Sequence, residues 1–200
     1  QPCAGQTWTI TAGSAITRFD YDAMNRVVTE TAPDSAVIST TYNGLSTTVS
    51  RTNPGGTAGA NNSSASHLVT KTANARGLVA TVVTAPIATT VTNAYDAIGN
   101  LTRVSTVGGP TSVALVKTMA YDVRGRQKRL SDPDAGEYSY GYNGVGEQVS
   151  QTDGAFTTTT IYDNFGRKQS RSEVGGGTTT WTYDCTNAKG LLCSVSYSGA

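Results

Sequence analysis

The chain has 200 residues, a net charge of +1 and only 14% charged residues, well below the quarter that is usual for soluble proteins. This near-neutral charge indicates neither a nucleic-acid partner nor an acidic membrane surface, and no apolar run is long enough to span a bilayer. The β-branched and aromatic content excludes a disordered tail. No secretory signal is visible at Gln1, so we expect an internal or processed part of a longer protein.

The predicted elements in the first quarter of the chain are strands that alternate with turns. Residues 7–11 are predicted to form the first strand. A turn over 21–26 joins the next two strands, and 32–35 forms the opposite turn. Strands are then expected over 37–42 and 47–51, so that the chain begins as a series of hairpins.

An irregular loop is predicted over 53–66, which is small, polar and rich in chain-breaking residues. His67 follows it and is expected to be a solvated loop residue, since no partner lies at ligand spacing. The pattern resumes with a degenerate turn over 73–78, and 80–92 carries two strands with Ala85-Pro86 between them. A further strand ends at Tyr121, and no amphipathic helix is predicted.

One motif, Tyr-Asp-x-x-Gly-Arg, recurs along the chain, and its most regular copy is 121–126. Its Tyr stands at positions 121, 142, 162 and 183, at intervals of 21, 20 and 21 residues, and such a fixed period indicates a repeat protein. Asp or Asn after the Tyr nucleates a turn, and Gly or Asn three residues later accepts a positive φ. The repeat-turn residues are Tyr21, Asp22, Tyr42, Asn43, Gly77, Tyr95, Asp96, Gly99, Tyr121, Asp122, Gly125, Tyr142, Asn143, Gly146, Tyr162, Asp163, Gly166, Tyr183 and Asp184.

Other turn signals lie midway between these motifs, at 132–136, 153–154 and 175–177. A turn about every ten residues leaves room for one strand, so two strands make one repeat of about 21 residues. Tyr138 and Tyr140 alternate with small residues and therefore share one face of a strand. The sequence predicts an all-β fold, an antiparallel hairpin repeat array over 1–200, with the Tyr-Asp turns along one edge of the sheet.

Tyr-Asp-x-x-Gly-Arg units at this spacing resemble the YD repeats of Rhs (rearrangement hotspot) proteins, which also occur in shell-forming components of Tc toxin complexes and in teneurins. The resemblance covers about residues 19–197 and rests on seven or more turns in register. In that family the repeats form a long sheet that spirals into a hollow shell, often around a polypeptide. The resemblance implies a non-enzymatic scaffold, here an open or partly curled sheet, from an extracellular or secreted bacterial protein.

Two of the three cysteines form a disulfide candidate. Cys185 and Cys193 lie on either side of 187–190, and a hairpin there could bring them face to face. Because the chain resembles an extracellular protein, the disulfide is favoured. The alternative is that the two small residues pack separately. Cys3 would then be free or bonded to a missing segment. Three cysteines and one distant His do not give the spacing of a structural zinc site, so no metal is predicted.

The acidic and basic clusters receive structural interpretations. Asp132 and Asp134 are paired acids, which can perform acid-base work, but they lie in a stretch where both are good turn formers. That stretch resembles only superficially the self-cleaving Asp-Pro-x-Gly-Leu segment of some family members, because repeats continue after it. The basic cluster over 124–129 is interpreted as a charged sheet rim. No catalytic residue and no cofactor are predicted.

The function stays open between a shell or wall, a self-assembling filament or surface fibre, a carbohydrate-binding adhesive module and, most weakly, a hydrolase. Exposed Tyr rings could form a sugar platform, or else the ladder that joins one repeat to the next. The terminal strands, 7–11 and 193–197, contain no edge-protecting Lys, Glu or Pro. We therefore expect them to pair with further repeats of the parent chain or with identical subunits. An enclosed polypeptide and a glycan are further candidate partners, with no nucleic acid and no membrane span.

Overall fold

The computed structural model describes residues 16–52, 67–108 and 113–199. These ranges contain β-strands and turns, and they contain no helix that could cross a membrane. The described strands are β1 (Arg18–Tyr21), β2 (Val27–Thr31), β3 (Val37–Asn43), β4 (Ser46–Thr52), β5 (His67–Ala73), β6 (Val79–Ala85), β7 (Thr89–Tyr95), β8 (Leu101–Val107), β9 (Leu115–Tyr121), β10 (Gln127–Asp132), β11 (Gly136–Tyr142), β12 (Gln148–Asp153), β13 (Phe156–Tyr162), β14 (Lys168–Glu173), β15 (Thr178–Cys185) and β16 (Ala188–Ser198).

Hydrogen-bonded neighbours in the sheet follow the chain order from β1 to β16, and neighbouring strands run antiparallel. Each strand therefore forms a hairpin with the next, which confirms the predicted all-β, antiparallel hairpin array. By its internal packing the chain divides into unit 1, residues 1–94 with 104–115, and unit 2, residues 95–103 with 116–200. The predicted strand at 7–11 and the predicted loop at 53–66 lie outside the described residues.

In unit 1 the strand β5 begins earlier than the sequence suggests. β5 begins at His67, whose backbone lies opposite Arg51 of β4. The expectation that His67 is a loop residue is therefore wrong, because the alternation of β4 continues to Arg51 and gives His67 a strand partner. Its side chain is exposed, and it is the first residue of the strand.

In unit 2 the ladder from β9 to β16 is regular except near each Tyr of the repeat, with one register shift in each Tyr-Asp hairpin and two in the last. The register shifts between Gly141 and Tyr142, and again between Ile161 and Tyr162. Each shift is a β-bulge, with the extra residue on the strand that leaves the turn: Val149 at the first of these shifts and Gln169 at the second. Bulges raise the local twist and change the direction of side chains. They lie where each Tyr enters its turn.

The alternation of the strands separates two kinds of side chain. Tyr138 and Tyr140 lie on one face of β11, while Ser139 lies on the other, opposite Thr152 of β12. Burial is nearly absent: among the described residues only Ala36, 5% exposed, is a buried hydrophobic residue, and no described polar residue is buried. Neither unit has an ordinary hydrophobic core in the part described. Backbone ladders and contacts between neighbouring strands must therefore supply the stability.

Candidate functional site

The Tyr-Asp turn is built around one carboxylate. In the copy at 121–126, the backbone N–H of Asp122 donates to the carbonyl oxygen of Arg126 at 2.9 Å, and that of Gly125 donates to the carbonyl of Asp122 at 3.0 Å. Oδ1 of Asp122 accepts from the backbone N–H groups of Arg124 at 2.8 Å and of Arg126 at 3.0 Å. Gly125 has a φ of +77°, which confirms the predicted left-handed turn position.

The same turn geometry recurs with other residues at the key positions. Gly166 has a φ of +76°, which confirms the matching prediction, and Asn25 holds the equivalent place at +58°. In the degenerate turn, Asn74 replaces the Asp, and its Oδ1 accepts from the backbone N–H groups of Arg76 at 2.9 Å and Leu78 at 3.1 Å. The turn therefore needs a side-chain oxygen at its start and a residue tolerant of positive φ near its end.

The turn at Tyr42 differs from the others. Asn43 lies directly opposite Ser46 in the ladder, so the hairpin has only two loop residues, Gly44 and Leu45. Interpreting Tyr42-Asn43 as a copy of the six-residue turn is therefore wrong. The reason is the position of the glycine: Gly44, with a φ of +57°, follows Asn43 at once and permits the tighter primed type of turn.

The residue four positions after the Asp completes the turn, and the sequence interpretation did not include it among the site residues. Nε of Arg126 donates to Oδ2 of Asp122 at 2.7 Å. The pairs Asp22–Arg26, at 2.7 Å, and Asp163–Arg167, at 2.6 Å, repeat this bond. Other turns use a neutral or reversed pair, in which the side-chain amide of Asn100 donates to Asp96 at 2.8 Å and that of Asn143 donates to Glu147 at 2.6 Å.

The hydrogen bonds of the turn lower the pKa of its carboxylate. The backbone N–H of Arg126 is the first cause that lowers the pKa of Asp122, with the Arg126 side chain adding to it against the opposing effect of burial. The pKa of Asp22 is lowered in the same way, first by the backbone N–H of Arg26. Both carboxylates are therefore held in their charged form, which is the form that accepts the turn hydrogen bonds.

The same arginine contacts the Tyr of the next turn. The Arg126 guanidinium carbon lies 4.6 Å from the centroid of the Tyr142 ring, and the Tyr142 hydroxyl donates to the carbonyl oxygen of Gln127 at 2.8 Å. Nη1 of Arg126 also donates to the carbonyl of Asn143 at 3.2 Å. One turn therefore binds its neighbour through a ring contact and two hydrogen bonds, and we call this arrangement the turn link.

The turn link recurs in both units. In unit 1, the Arg26 guanidinium carbon lies 4.1 Å from the centroid of the Tyr42 ring, and the Tyr42 hydroxyl donates to the carbonyl of Val27 at 3.1 Å. In unit 2, the hydroxyl of Tyr121 donates to the carbonyl oxygen of Leu101 at 2.9 Å, and the turn before it has Asn100 in place of the arginine. The hydroxyl bond to the residue that leaves the preceding turn thus forms both with and without an arginine over the ring.

The last hairpin also departs from the predicted turn. Tyr183 and Asp184 lie within β15, and Cys185 is opposite Ala188, so the loop has only two residues, Thr186 and Asn187. Interpreting Tyr183-Asp184 as the start of a longer turn is therefore wrong, because the ladder continues past it. A disulfide joins Cys185 to Cys193 between β15 and β16, and the backbone N–H of Gly190 donates to Oδ1 of Asp184 at 2.6 Å. Asp184 also accepts from Nη2 of Arg167 at 2.7 Å. That bond is the first cause that raises the pKa of Arg167 above its usual range. The final turn is therefore tied both to itself and to the turn before it.

The paired acids of the opposite edge serve a turn. Oδ1 of Asp132 accepts from the backbone N–H of Asp134 at 3.0 Å, and Oδ2 accepts from Nζ of Lys117 at 2.6 Å.

Of the predicted turn residues, the structure brings several together along one edge of unit 2: Tyr121, Asp122, Tyr142, Asn143, Tyr162, Asp163, Tyr183 and Asp184. The described residues include no group of three His, Cys, Asp or Glu side chains that could hold a metal ion.

These features define an antiparallel β-hairpin repeat protein whose repeats are linked through their turns. No known family model matches the chain, and no curated protein matches it. Among solved structures, the crystal structure of TcdB2-TccC3-TEV is similar, with a TM-score of 0.52 and 13% identity over 92% of this chain. The crystal structure of TcdB2-TccC3-Cdc42 gives a TM-score of 0.38 at 13% identity, over 92% of this chain and 15% of that one. The chain spans 14% of the length of the first structure, and the likeness shows the fold.

Proposed function

We propose that this chain is a segment of a YD-repeat array of the Rhs type, a non-enzymatic scaffold that forms part of a β-sheet wall or shell in an extracellular or secreted bacterial protein. The observation that carries the proposal is the turn link. Arg126 and Tyr142 connect successive repeats, and Arg26 and Tyr42 do the same in the other unit. A contact that recurs once per hairpin allows the array to be lengthened by adding further repeats.

The burial pattern supports a scaffold role. With Ala36 as the one buried hydrophobic residue described, each hairpin depends on its neighbours rather than on a shared interior. Such a sheet has two accessible faces and suits a wall that separates one space from another. The likeness to the TcdB2-TccC3-TEV structure supports the same reading at the level of the fold.

The use of the charged residues supports a non-enzymatic reading. The carboxylates of Asp22, Asp122 and Asp163 each accept hydrogen bonds from their own turn and pair with an arginine four positions later. Asp132 is paired with Lys117. A general acid or base needs a proton that it can exchange with a substrate, whereas these groups are engaged in holding turns.

The proposed partners of the scaffold are further strands. β16 is the last described strand, and its Leu191, Leu192, Val195 and Tyr197 side chains are exposed. It contains one Lys, near its start, and no Glu or Pro, so most of the strand lacks the usual protection of a sheet edge. We propose that this edge pairs with another strand of the parent array or of an identical subunit.

Cryo-electron microscopy of the parent protein tests this function. We expect the repeats to appear as one continuous sheet around an enclosed volume, with the Tyr-Asp turns along one margin of the strip. Repeats stacked end to end as an open filament would contradict the shell and support the fibre alternative. A compact domain with a substrate cleft between the repeats would contradict the scaffold role itself.

A further inference from the structure

One turn of unit 2 lacks the arginine of the turn link. In other turns an arginine lies over the Tyr ring of the repeat that follows, namely Arg26, Arg126 and Arg167. In the turn at 142–147 the same position is held by Glu147. Among the described residues, no Arg or Lys side chain lies over the ring of Tyr162, which belongs to the next repeat. The hydroxyl of Tyr162 still donates to the carbonyl oxygen of Gln148 at 3.1 Å, so the cationic part of the link is the part that is missing.

The turn at 121–126 shows what such arginines do. Nη1 of Arg126 donates to the carbonyl oxygen of Asn143 at 3.2 Å, and Nη1 of Arg124 donates to that of Gly144 at 2.8 Å. Both bonds reach from one turn to the next. Because a guanidinium is also attracted by the negative face of an aromatic ring, the ring and the two carbonyl oxygens together form a site for a cation.

One repeat later, the acceptors remain and the donors are replaced. Val145 and Glu147 hold the positions of the two arginines. Neither an apolar side chain nor a carboxylate can donate to the corresponding carbonyl oxygens, which are those of Asp163 and Asn164. The carbonyl of Asp163 accepts one bond within its own turn, from the N–H of Gly166 at 3.0 Å. Since a carbonyl oxygen has two lone pairs, it can accept a second donor.

A groove with a volume of about 590 Å³ lies between these two turns, and we call it the link groove. Its lining includes the acceptors just described and uncharged residues, among them Glu147, Tyr162, Asp163, Asn164, Thr160 and Ile161. A groove of this size is larger than one guanidinium, and it also has room for parts of the chain that carries the guanidinium.

The charge of the link groove favours a cation. Oε2 of Glu147 accepts from the side-chain amide of Asn143 at 2.6 Å, and no cation pairs with Glu147 among the described residues. Arg167, in the following turn, is engaged by Asp163 and Asp184. A carboxylate without a cation, placed beside an aromatic ring, is complementary to a positively charged ligand.

We infer that the link groove binds the guanidinium of an arginine that another polypeptide segment carries. The chain itself identifies this occupant, because it fills the equivalent place with Arg126 in one repeat and with Arg26 in another. An outside guanidinium in the groove can lie over the ring of Tyr162 and donate to a carbonyl oxygen while it pairs with Glu147. A lysine ammonium is a compact charge without the planar fork, so it suits this set of acceptors less well.

A polypeptide segment suits the groove better than free arginine does. One guanidinium at a solvent-accessible site binds weakly. The residues that flank it in a polypeptide can contact the uncharged part of the groove, at Val149 and Ile161, and add apolar burial. This site goes beyond the proposed scaffold function, because a wall can form while the groove is empty. The two proposals can therefore fail separately.

Nuclear magnetic resonance titration of the whole chain tests the inference. The probe is a pentapeptide, acetylated and amidated at its ends, with one arginine between two pairs of alanines. We expect it to shift the ring signals of Tyr162 and the amide signal of Gly166, with a Kd of about 1 to 30 mM. The ring of Tyr142, which Arg126 already covers, is the internal control and should shift little.

Two further ligands separate charge from shape and a segment from a single residue. The same pentapeptide with citrulline keeps the shape of arginine without its charge, and it should bind about tenfold more weakly. N-acetylarginine amide has no flanking residues and should also bind more weakly than the arginine peptide.

Variants of the chain test the assignment to the groove. Glu147→Gln keeps an acceptor for Asn143 and removes the charge, so it should weaken binding of the arginine peptide about fivefold. Glu137→Gln, at an exposed acid beside the opposite edge, is the matched control and should leave binding unchanged. The double variant Asn143→Asp, Glu147→Arg rebuilds the turn of 121–126 and should lose binding, because its own side chain fills the groove. Far-ultraviolet spectra should show that each variant stays folded.

Several results would overturn the inference. Equal binding of the arginine and citrulline peptides would do so without any change to the protein. Unchanged binding by Glu147→Gln, or by the double variant, would place the contact elsewhere. If N-acetylarginine amide bound as tightly as the arginine peptide, the occupant would not be a polypeptide segment.

Discussion

The hydroxyl of Tyr142 donates a hydrogen bond of 2.8 Å to the carbonyl oxygen of Gln127, the residue that leaves the preceding Tyr-Asp turn. The guanidinium of Arg126 lies over the ring of the same tyrosine. One side chain thus holds both the backbone and a charged side chain of the previous repeat. Because this contact crosses a whole hairpin, it resists the sliding of one hairpin along the next, which backbone ladders alone resist poorly.

Replacing Tyr142 with Phe should isolate the hydrogen bond of the turn link. Tyr142→Phe keeps the ring under Arg126 and removes the hydroxyl, so we expect a loss of about 0.5 to 1.5 kcal/mol in the free energy of unfolding. Denaturant titration measures the loss. Tyr197→Phe, at a side chain that is 69% exposed, is the control and should change stability little. Equal effects at the two sites would contradict the assigned role of the Tyr142 hydroxyl.

Replacing Gly125 with Val should strain the turn. Gly125 has a φ of +77°, and an added Cβ would meet only Oδ1 of Asn100, at an ordinary 3.6 Å. The cost therefore comes from the backbone and should be about 1 to 3 kcal/mol, measured by denaturant titration. Gly125→Asn should cost less, since Asn25 holds the equivalent position at +58°. A Val variant as stable as the Asn variant would contradict this account.

Stability should fall in acid through the turn carboxylates. Hydrogen bonds, first from the backbone N–H of Arg126, hold the pKa of Asp122 below its ordinary value of 3.8. A lowered folded pKa contributes stability that is fully present above the unfolded pKa and is lost as the pH falls through the folded value. Urea titrations between about pH 7 and pH 2 should show this decline below about pH 4.

The variant Asp122→Asn should be less stable at neutral pH, because it loses the charge of the bond to Arg126, and its stability should decline less in acid. An unchanged pH profile in this variant would show that Asp122 does not contribute to the acid sensitivity. Asp20→Asn is a suitable control, because Asp20 lies on a strand outside any Tyr-Asp turn.

Breaking the disulfide should loosen the end of the array. The bond closes a loop with a sequence separation of 8 between Cys185 and Cys193, for which chain entropy gives about 2 to 3 kcal/mol. We expect Cys185→Ser to make the amides of β15 and β16 exchange hydrogen faster, while those of β11 and β12 keep their rates. The variant Cys193→Ser should behave alike, since either change removes the bond. Uniform acceleration across unit 2 would contradict a local effect.

The sequence was sufficient for the fold class and for most of the turns. Asp122 supplies a side-chain acceptor at the start of its turn, and Gly125 tolerates the positive φ near its end. Both features are local in the sequence, so their regular recurrence was enough to predict these turns. The turn at Tyr42 was misassigned because Gly44 permits a shorter hairpin that the composition of the segment does not distinguish.

The turn link could not be derived from the sequence in the same way. The contact of Arg126 with Tyr142 depends on the register between hairpins and on the β-bulge beside the turn, which are set by pairing across strands. A signal was nevertheless present. Four positions after each Asp or Asn of the regular turns stands a side chain that can complete its hydrogen bonds, such as Arg26, Asn100 or Glu147.

The near-absence of buried residues, with Ala36 as the described exception, has a consequence for how such a chain can vary. In a globular domain, inserting or deleting two strands leaves a void or a clash, and the interior must be repacked. Here the removal of one hairpin brings together two others with the same turn chemistry, and the contacts of every remaining pair stay as they were. The length of the sheet can therefore change in steps of one repeat, without compensating substitutions elsewhere.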